Sequence, residues 1–599
     1  MNVVAIVPIR ISESSRRKLL RESKGKTPLE HTVLSLIGSG FFVDVIIAAP
    51  DDGHAEYYTS IAKRCGAKIF VGEKENINRR VSKALSEHRY AEGIAVRVNG
   101  ENIFNLSSLT VRVLDAVRDG NAEYSYLSGL PNGLAPDAVS ITSLKKFEEM
   151  DAPYYRTLKD GVSDLIVSKV DSGLELEALS FTAVDDEAED LFNHHSSALP
   201  SASVEQFLES AREFYKDSLE RAAIPKKREV NFKLNAIEKG LKLEQVYSMP
   251  ISMSLGVSNL CNLKCVTCIQ RFSKLSQDEF DEEFGEGYKY WDISFDKRDD
   301  GNYYKKSDEL TPEAFSKIEK VFFPYLISCS FGLSGEPFMN KNLPDYIEIA
   351  KKYGIETHML TNGMTMDETV SEKIAGGILD KINISFDGAT RETFEGIRSG
   401  SDFERIKRNI RTLAKIRDRS QVRSPNINLA PTISAVNFRE LPDIVKLGGD
   451  LGVDSVTVKY AITAPFMNRE ESLFWRMEET QEVFEKTKEQ ARRSGIVVWL
   501  PKVAGGGSSG RSSCRVMWEA IIIRIGGMTT PCCHITRNEL LLEDGLQDIW
   551  NGDFYRKLRR GHSGKELLIE DCINCSDDDV RDPSNINSFI YSAESSGIF

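Results

Sequence analysis

Short apolar runs and helical patterns alternate in two long regions of the 599-residue chain. In the first 150 residues, compact apolar stretches predict strands, and apolar side chains three and four positions apart predict helices. The predicted strands are Val3–Pro8, Val43–Ala49, Lys68–Val71 and Ile94–Val98, and the predicted helices are Leu29–Ser39, Ala55–Cys65 and Arg79–His88. This alternation predicts βαβ units and a mostly parallel sheet of the doubly wound α/β class.

The second region begins at Ile251, where apolar and small polar side chains alternate as far as Ser258. Five further strands are predicted at Leu326–Leu333, Glu356–Leu360, Lys381–Phe386, Asn426–Ser434 and Ser455–Tyr460. Helical patterns separate them, including Pro312–Phe323, Leu343–Tyr353, Phe403–Ile416 and Leu441–Leu451. Six βα units predict a partial (β/α)6 barrel, which would bind ligands at the carboxyl ends of its strands.

Size and composition predict a protein of several domains that works in water. A chain of this length exceeds one hydrophobic core, so about three domains are expected. The net charge of −13 argues against a nucleic-acid groove, because phosphate binding needs a basic surface. No apolar run approaches the roughly 20 residues of a membrane helix, and the start of the chain does not have the order of a signal peptide. Ten cysteines without an export signal favour metal or redox use over disulfides, and the expected location is the cytoplasm.

Three thiols follow the strand that begins at Ile251. Cys261, Cys265 and Cys268 have the spacing C-x3-C-x2-C. Three thiolates on one loop can hold three corners of a four-iron, four-sulfur cluster, and the fourth iron is then open to a substrate. A structural zinc site would need a fourth Cys or His, and none follows within this loop. A zinc knuckle and three unconnected core cysteines are the alternatives.

The cysteine spacing and three later motifs resemble the radical S-adenosylmethionine (radical SAM) superfamily. The motifs are SGEP at Ser334–Pro337, TNG at Thr361–Gly363 and SFDG at Ser385–Gly388, and each follows a predicted strand. The resemblance implies that SAM binds the open iron through its amino group and carboxylate. The residues then expected to bind the cofactor are Ser334, Gly335, Glu336, Thr361, Asn362, Ser385 and Arg398.

Individual roles within that set follow from the resemblance and from side-chain chemistry. The SGEP motif offers backbone carbonyls and the Glu336 carboxylate to the ammonium of SAM. Ser385 is expected to form a hydrogen bond with the ribose or the carboxylate of SAM, and Arg398 is expected to form an ion pair with that carboxylate. The superfamily commonly has a bulky residue before its last cluster cysteine, and Thr267 in that position leaves the adenine contact open. Asp387 and Lys459, at predicted strand ends, have no assignable role.

The resemblance also implies the chemistry. A reduced cluster passes one electron to SAM, which splits into methionine and a 5′-deoxyadenosyl radical, and the radical removes a hydrogen atom from the substrate. An external one-electron reductant of flavodoxin or ferredoxin type is the expected partner.

A second group of thiols lies near the end of the chain. Cys514, Gly527 and Cys532 give C-x12-G-x4-C, and Cys572 and Cys575 give C-x2-C. Four thiolates can hold one auxiliary four-iron, four-sulfur cluster. Together with the IWNG and LRRG motifs, this pattern resembles the SPASM/twitch domains of radical SAM enzymes. Adjacent strand residues point to opposite faces, so the neighbouring Cys533 is not expected to share the site. A four-cysteine zinc ribbon is the alternative.

The beginning of the chain resembles the cytidylyltransferase-like enzymes that activate acidic or spore-coat sugars, a nucleotidyltransferase fold. The resemblance is carried by Lys26–Val33, Arg97–Asn102 and Phe181–Leu191, and the basic residues after the first strand, Arg10, Arg16 and Lys18, stand where such folds bind phosphate. The phosphate loop lacks its Leu-Pro-Gly, and Glu101 replaces a metal-binding Asp. The domain either binds a nucleotide with Mg²⁺ or serves as a docking or dimerising scaffold.

These observations predict four segments and a function. Residues 1–215 are a degenerate cytidylyltransferase-like domain, 216–250 connect it, 251–500 are the radical SAM partial barrel, and 501–599 are the auxiliary-cluster domain. The order of domains also resembles the spirochaete-type spiro-SPASM proteins. The predicted substrate is a peptide or protein side chain. The alternatives are a nucleotide-linked or cell-envelope sugar that is oxidised, epimerised or dehydrated, and a zinc-stabilised binding scaffold without enzymatic activity.

Overall fold

The chain divides into two compact units. A computed structural model describes residues 2–9, 19–20, 22, 25–100, 102, 104, 106–120, 122–128, 130, 134, 136–148, 167–171, 191, 203–224, 226–268, 282, 309–461, 469–501, 503, 514–525, 527, 529–532, 535, 549–564, 568–569 and 572. One unit consists of Met1–Arg221 and Ala236–Leu241, and the other of Ala222–Asn235 and Lys242–Phe599. The four domain limits derived from the sequence stay a prediction.

The first unit is built on a seven-stranded sheet. Its strands are β1 (Val3–Pro8), β2 (Asp44–Pro50), β3 (Lys68–Gly72), β4 (Ile94–Arg97), β5 (Tyr124–Ser128), β6 (Asp137–Ser140) and β7 (Val167–Asp171), in the order β3-β2-β1-β4-β6-β5-β7. Strand β6 runs antiparallel to both neighbours, and the other pairs are parallel. The helices are α1 (Pro28–Gly38), α2 (Ala55–Cys65), α3 (Ile77–Glu87), α4 (Ser107–Arg118) and α5 (Val204–Arg221).

The first predicted strand has the bounds of β1, and the first predicted helix corresponds to α1, which begins and ends one residue earlier than expected. All six residues of β1 are buried, as expected for the central strand of a parallel sheet. Helix α1 begins with a capping box, in which Thr27 and Glu30 bond each other's backbone N–H groups, and with Pro28 in its first turn.

The nucleotide prediction falls largely on residues that are not described. Arg10, Arg16, Lys18 and Glu101 lie outside the described residues. Arg97 is described, and its guanidinium forms a buried ion pair with Asp137 on the neighbouring strand β6. This side chain therefore joins two strands of the sheet.

The second unit contains a nine-stranded sheet and a two-stranded one. Its strands are β8 (Ser252–Leu255), β9 (Ser328–Phe331), β10 (Glu356–Thr361), β11 (Lys381–Ile384), β12 (Asn426–Leu429), β13 (Thr432–Ile433), β14 (Ser455–Thr457), β15 (Lys459–Tyr460), β16 (Val497–Trp499), β17 (Ala520–Ile523) and β18 (Thr529–Thr530). The large sheet has the order β16-β14-β12-β11-β10-β9-β8-β17-β18, and only β18 is antiparallel to its neighbour. The six predicted barrel strands thus follow one another in sequence order, and the α/β fold class is confirmed.

Helices lie between these strands along the chain. They are α6 (Lys226–Gly240), which has residues in both units, α7 (Pro312–Phe322), α8 (Leu343–Lys352), α9 (Glu368–Ile374), α10 (Arg391–Ile397), α11 (Phe403–Arg419), α12 (Leu441–Leu451), α13 (Met477–Ser494), α14 (Val516–Glu519) and α15 (Asp553–Ser563). Among the described helices, none has both the length and the apolar character that crossing a membrane requires.

Two strand predictions are wrong in their extent, because each predicted strand is two shorter strands in the structure. Asn426–Ser434 is two strands, β12 and β13, separated by a segment that contains Pro431. Proline has no N–H to donate to a ladder, and here its carbonyl accepts from the backbone N–H of Lys459 at 3.0 Å. Ser455–Tyr460 likewise divides into β14 and β15, and β15 pairs with β13 apart from the large sheet.

The large sheet has one apolar face and one polar face. Side chains such as Leu255, Phe331 and Ile384 are fully buried in the main hydrophobic core. Many of the alternate positions carry hydrogen-bonding groups, although Leu360 among them is apolar. We call the hydrogen-bonding positions the polar face: Ser254, Ser330, His358, Lys381, Asn383 and Ser455. In register, Ser254 lies beside Ser330, which lies beside His358, which lies beside Lys381. Asn383 and Ser455 both contact the amide of the buried Asn428 between them.

Candidate active site

The three-cysteine loop starts directly beyond the carboxyl end of β8. Cys261 is exposed, and Cys265 and Cys268 are half-buried. Burial raises the pKa of the Cys265 thiol, which disfavours its thiolate form in the metal-free protein. A bound cation would offset this cost and favour the thiolate. Within the described part of the chain, no group of three or more Cys, His, Asp and Glu side chains is placed to hold one metal ion. In a four-iron cluster each thiolate binds a different iron, so its ligands stand farther apart than those of one ion.

The SGEP turn after β9 supports the loop from one side. Gly335 has φ of +64°, and a Cβ at this position would lie 2.5 Å from the carbonyl oxygen of Ser258 and 2.7 Å from that of Leu260. The N–H of Glu336 donates to the same Leu260 oxygen at 2.7 Å. The motif therefore needs glycine because the backbone of the cysteine loop passes directly over it.

The carboxylate of Glu336 connects the SGEP turn to the TNG motif. It is 1% exposed and accepts from the Thr361 hydroxyl at 2.5 Å and from the N–H of Asn362 at 2.8 Å. Burial raises the pKa of Glu336, although these donors act in the opposite direction. Glu336, Thr361 and Asn362 are thus brought together at the carboxyl ends of β9 and β10.

Asn362 extends this connection to the first cluster cysteine. Its side-chain amide lies 3.8 Å from the sulfur of Cys261 and donates to Asn262 at 2.8 Å. The backbone N–H of Leu263 lies 3.5 Å from the same sulfur. Two N–H groups therefore face Cys261. Asn262 was missed by the sequence reasoning, although its position between the first two cysteines was a usable signal.

The GIRSG segment (Gly396–Gly400), which begins at the end of α10, holds the loop from another side. Backbone N–H groups of Lys264 and Val266 donate to the carbonyls of Ser399 and Ile397, both at 2.9 Å. These bonds set Arg398 opposite Cys265, and its Nη1 lies 3.9 Å from the cysteine sulfur. Burial acts to lower the pKa of Arg398, and the charges of Asp387 and Cys265 raise it above its ordinary value.

These contacts fit a cluster whose ligands are thiolates. N–H groups point at the sulfurs of Cys261 and Cys265, and such contacts stabilise thiolate ligands. The Nε of Arg398 is buried and has no hydrogen-bond partner among the described residues, so it remains able to bind an anion. Ser385 follows β11 at the same edge of the sheet, and its N–H donates to Thr361 at 3.0 Å. Direct contacts of Ser334, Gly335, Glu336, Thr361, Asn362, Ser385 and Arg398 with SAM stay a prediction.

Three of the four thiols predicted to hold the auxiliary cluster lie against one core. Cys514, Cys532 and Cys572 pack against a cluster of buried side chains that includes Trp518, Trp550 and Tyr555. The indole N–H groups of Trp518 and Trp550 donate to the carbonyls of Leu243 and Ser248. Cys575 and Cys533 lie outside the described residues, so the complete ligand set stays a prediction.

The fold and these two groups of thiols define an iron–sulfur enzyme. Residues 255–448 match the family model of the radical SAM superfamily, and residues 514–576 match that of the SPASM iron–sulfur cluster-binding domain. The chain thus contains a radical SAM domain and a SPASM iron–sulfur cluster-binding domain; it is an enzyme rather than a zinc-stabilised scaffold, and its cofactors are SAM and iron–sulfur clusters.

Comparison with individual proteins gives distant similarities. A probable GTP 3′,8-cyclase of Methanocaldococcus jannaschii is 22% identical over 333 residues, which are 54% of this chain and 94% of that protein. Several other relatives are matched over only about half of their length. Among solved structures, Streptococcus suis SuiB bound to SAM has a TM-score of 0.43 at 13% identity, over 65% of this chain and 86% of that one. A cytidylyltransferase of Leptospira borgpetersenii has a TM-score of 0.32 at 16% identity, over 36% of this chain and 95% of that one.

Proposed function

We propose that this enzyme cleaves SAM reductively to methionine and a 5′-deoxyadenosyl radical, which then removes a hydrogen atom from a side chain of a peptide or protein. The bound cluster supplies the electron. The observation that supports the cleavage step is the three-sided support of the cysteine loop by the SGEP turn, the TNG motif and the GIRSG segment.

The residues of the chain hold and orient the reactants in this proposal. Cys261, Cys265 and Cys268 hold the cluster, and Arg398 offers its Nε–H to the carboxylate of SAM. Glu336 keeps Thr361 and Asn362 in place and offers its remaining acceptor capacity toward the ammonium of SAM. Cys514, Cys532, Cys572 and Cys575 would hold the auxiliary cluster, which when bound could take up an electron from the substrate radical.

The exposed edge of the large sheet supports a peptide as the substrate. Val497 and Trp499 on the edge strand β16 are 53% and 51% exposed, and Leu360, in the middle of the sheet, is 44% exposed. Small molecules are usually bound with most of their surface enclosed. An extended chain can lie along an open sheet edge and place one side chain at the carboxyl ends of the strands.

Transfer of deuterium tests this assignment. The anaerobically reconstituted enzyme is incubated with dithionite, SAM and a peptide fraction from cells grown on deuterated amino acids, and the 5′-deoxyadenosine is analysed by mass spectrometry. We expect a species heavier by one deuterium, because the radical takes its hydrogen from the peptide. The control uses the same fraction after exhaustive proteolysis and removal of the free amino acids. Deuterium that persists in this control would contradict a peptide substrate.

A nucleotide-linked or cell-envelope sugar is the second candidate, and the polar face favours it. The hydroxyls of Ser254 and Ser330, the imidazole of His358 and the ammonium of Lys381 form a continuous row. Such groups match the hydroxyls of a sugar better than the side chain of an apolar residue. The cytidylyltransferase-like beginning of the chain would then bind the nucleotide with Mg²⁺.

The sugar candidate predicts stabilisation of residues 1–215 by CTP or a CMP-sugar with Mg²⁺. A ligand at one hundred times its Kd adds about 2.7 kcal/mol to the free energy of unfolding. Hydrogen exchange followed by mass spectrometry measures this protection peptide by peptide, with ATP as the control nucleotide. Equal exchange with and without the cytidine nucleotides would remove the support for this candidate.

A further inference from the structure

Asp387, in the SFDG motif, is a buried carboxylate that the chemistry proposed above does not use. It is 2% exposed. Its Oδ1 accepts from the N–H of Thr432 at 2.8 Å, and its carbonyl oxygen accepts from the side chain of Asn437 at 2.8 Å. Its Oδ2 lies 2.7 Å from Nη2 of Arg398. The first contact fixes the carboxylate, and the second the backbone of Asp387, to the chain beyond β12. The third is an ion pair with a side chain that is itself 12% exposed.

Arg398 connects the fixed carboxylate of Asp387 to the cysteine loop. One end of its guanidinium contacts Asp387, and Nη1 faces the sulfur of Cys265 at 3.9 Å. The reduction potential of an iron–sulfur cluster depends on the net charge around it and on hydrogen bonds to its sulfurs. Because reduction adds a negative charge, a cation and an N–H group at a ligand sulfur both favour the reduced state.

We propose that Asp387 is a positioning residue that directs Arg398 at Cys265 and thereby raises the reduction potential of the cluster on this loop. The inference deepens the proposed function and rests on it, since the loop must hold the cluster. One electron enters from the external one-electron reductant, and no proton is transferred by the carboxylate. Asp387 thus serves electron uptake, not acid–base chemistry.

Asp387→Asn tests the proposal because the amide cannot serve both partners. Asp387 accepts from Thr432 through one oxygen and from Arg398 through the other, and asparagine has only one acceptor oxygen. The midpoint potential is measured by EPR-monitored titration, in the signal that changes when SAM is added. We expect it to move to a more negative value, with the iron and sulfide content of the wild type. The matched control is Asp380→Asn, the same substitution just before the amino end of β11, which should leave the potential unchanged.

The sign of the shift separates positioning from simple charge. If Arg398 kept its place, loss of the Asp387 charge would raise the potential, so a rise or an unchanged value overturns the proposal. Arg398→Met should lower the potential, and adding Asp387→Asn to it should lower the potential no further. A further fall in that double variant would show that Asp387 does not act through Arg398, and would overturn the proposal.

Two further cases are a variant that does not assemble its cluster and a wild type that binds no cluster or does not respond to SAM. If Asp387→Asn does not assemble the cluster, Arg398→Gln is measured instead, because it keeps an N–H donor without the charge. A more negative potential supports the proposal, and the wild-type value overturns it. If the wild-type loop binds no cluster, or if its EPR signal does not change when SAM is added, the proposed function itself fails. That outcome differs from a wild type whose EPR signal responds to SAM and a variant whose midpoint potential is unchanged, which overturns only the role of Asp387.

Discussion

At the scale of single residues, the site depends on close contacts that permit few substitutions. The cysteine sulfurs are faced by N–H groups of Leu263, Asn362 and Arg398. The sequence predicted Asn362 and Arg398 through the motifs that contain them. It assigned no role to Asp387, because its partners Thr432 and Asn437 lie 45 and 50 positions further along the chain and only the fold brings them together.

Gly335→Ala should disturb the cluster site more than it disturbs folding. A left-handed backbone costs a non-glycine residue about 1 kcal/mol, and here the Cβ would also meet the Ser258 carbonyl oxygen at 2.5 Å. We expect a lower iron content after anaerobic reconstitution. The control Gly376→Ala has φ of +74° and no atom within 4 Å, so it should lose stability alone. Equal iron content in the two variants would contradict the close packing described for Gly335.

Two tyrosine variants should differ in the sign of their effect on stability. The hydroxyl of Tyr555 is buried and has no hydrogen-bond partner among the described residues, whereas that of Tyr346 donates to the Leu310 carbonyl at 3.0 Å. An unsatisfied buried group costs about 1–3 kcal/mol. In the metal-free protein, Tyr555→Phe should therefore preserve or raise the free energy of unfolding, and Tyr346→Phe should lower it by about 1 kcal/mol.

Urea unfolding followed by tryptophan fluorescence measures both variants in the relevant unit. All five tryptophans belong to the second unit, so the signal reports its unfolding alone. A loss of stability in Tyr555→Phe as large as that in Tyr346→Phe would show that the Tyr555 hydroxyl has a partner in the protein.

At the scale of elements, the SPASM segment contributes to the sheet that carries the cluster loop. Strand β17 pairs in parallel with β8, and the N–H of Gly256 donates to the carbonyl of Ile523 at 2.8 Å. Periodicity predicted β8 to β11 because they carry regular alternation or apolar runs, and it predicted β12 as part of a longer strand. It missed the pairing of β17 with β8, since two strands 268 positions apart are joined by tertiary contacts that no local pattern records.

Ile523→Ala should weaken the second unit and loosen the cysteine loop. Ile523 is fully buried in the main core, and truncation of a buried isoleucine costs about 2–5 kcal/mol. We expect that loss in the tryptophan-monitored urea transition. Val497→Ala, at the exposed edge strand, should change the free energy of unfolding by no more than about 0.5 kcal/mol. Similar losses in both variants would contradict the burial of β17 in the core.

Asp380, at the amino ends of β10 and β11, should make the free energy of unfolding depend on pH in the acid range. Burial alone would raise the pKa of Asp380, but the bonds from Lys351 and from the Thr357 N–H outweigh it and hold the pKa below its ordinary value. A depressed carboxyl stabilises the fold above its unfolded pKa of about 4, and this contribution disappears as the pH falls through the folded pKa.

Urea unfolding at a series of pH values checks this sign. Near pH 7, Asp380→Asn should be less stable than the wild type, and the two should converge as the pH falls below the depressed folded pKa of Asp380. A difference that persists unchanged at low pH would show that the charge of Asp380 is not responsible.

At the scale of the whole molecule, the sequence predicted the order of the domains better than their functions. Cysteine spacing and strand-end motifs predicted the cluster loop, since a local pattern encodes both ligands and turns. The proposed peptide substrate would contact side chains from several strands, such as Leu360 and Trp499, whose exposure becomes visible only in the fold. The sequence also left the role of the first unit open, and its phosphate-loop residues lie outside the described part of the chain.

The most direct test is the formation of 5′-deoxyadenosine by the anaerobically reconstituted enzyme with dithionite and SAM. We predict that the wild type and Cys65→Ala, which alters a buried cysteine of the first unit, form 5′-deoxyadenosine, and that Cys265→Ala forms none. Equal amounts from Cys265→Ala and the wild type, or none from a wild type that carries its full complement of iron and sulfide, would contradict an open iron on the three-cysteine loop.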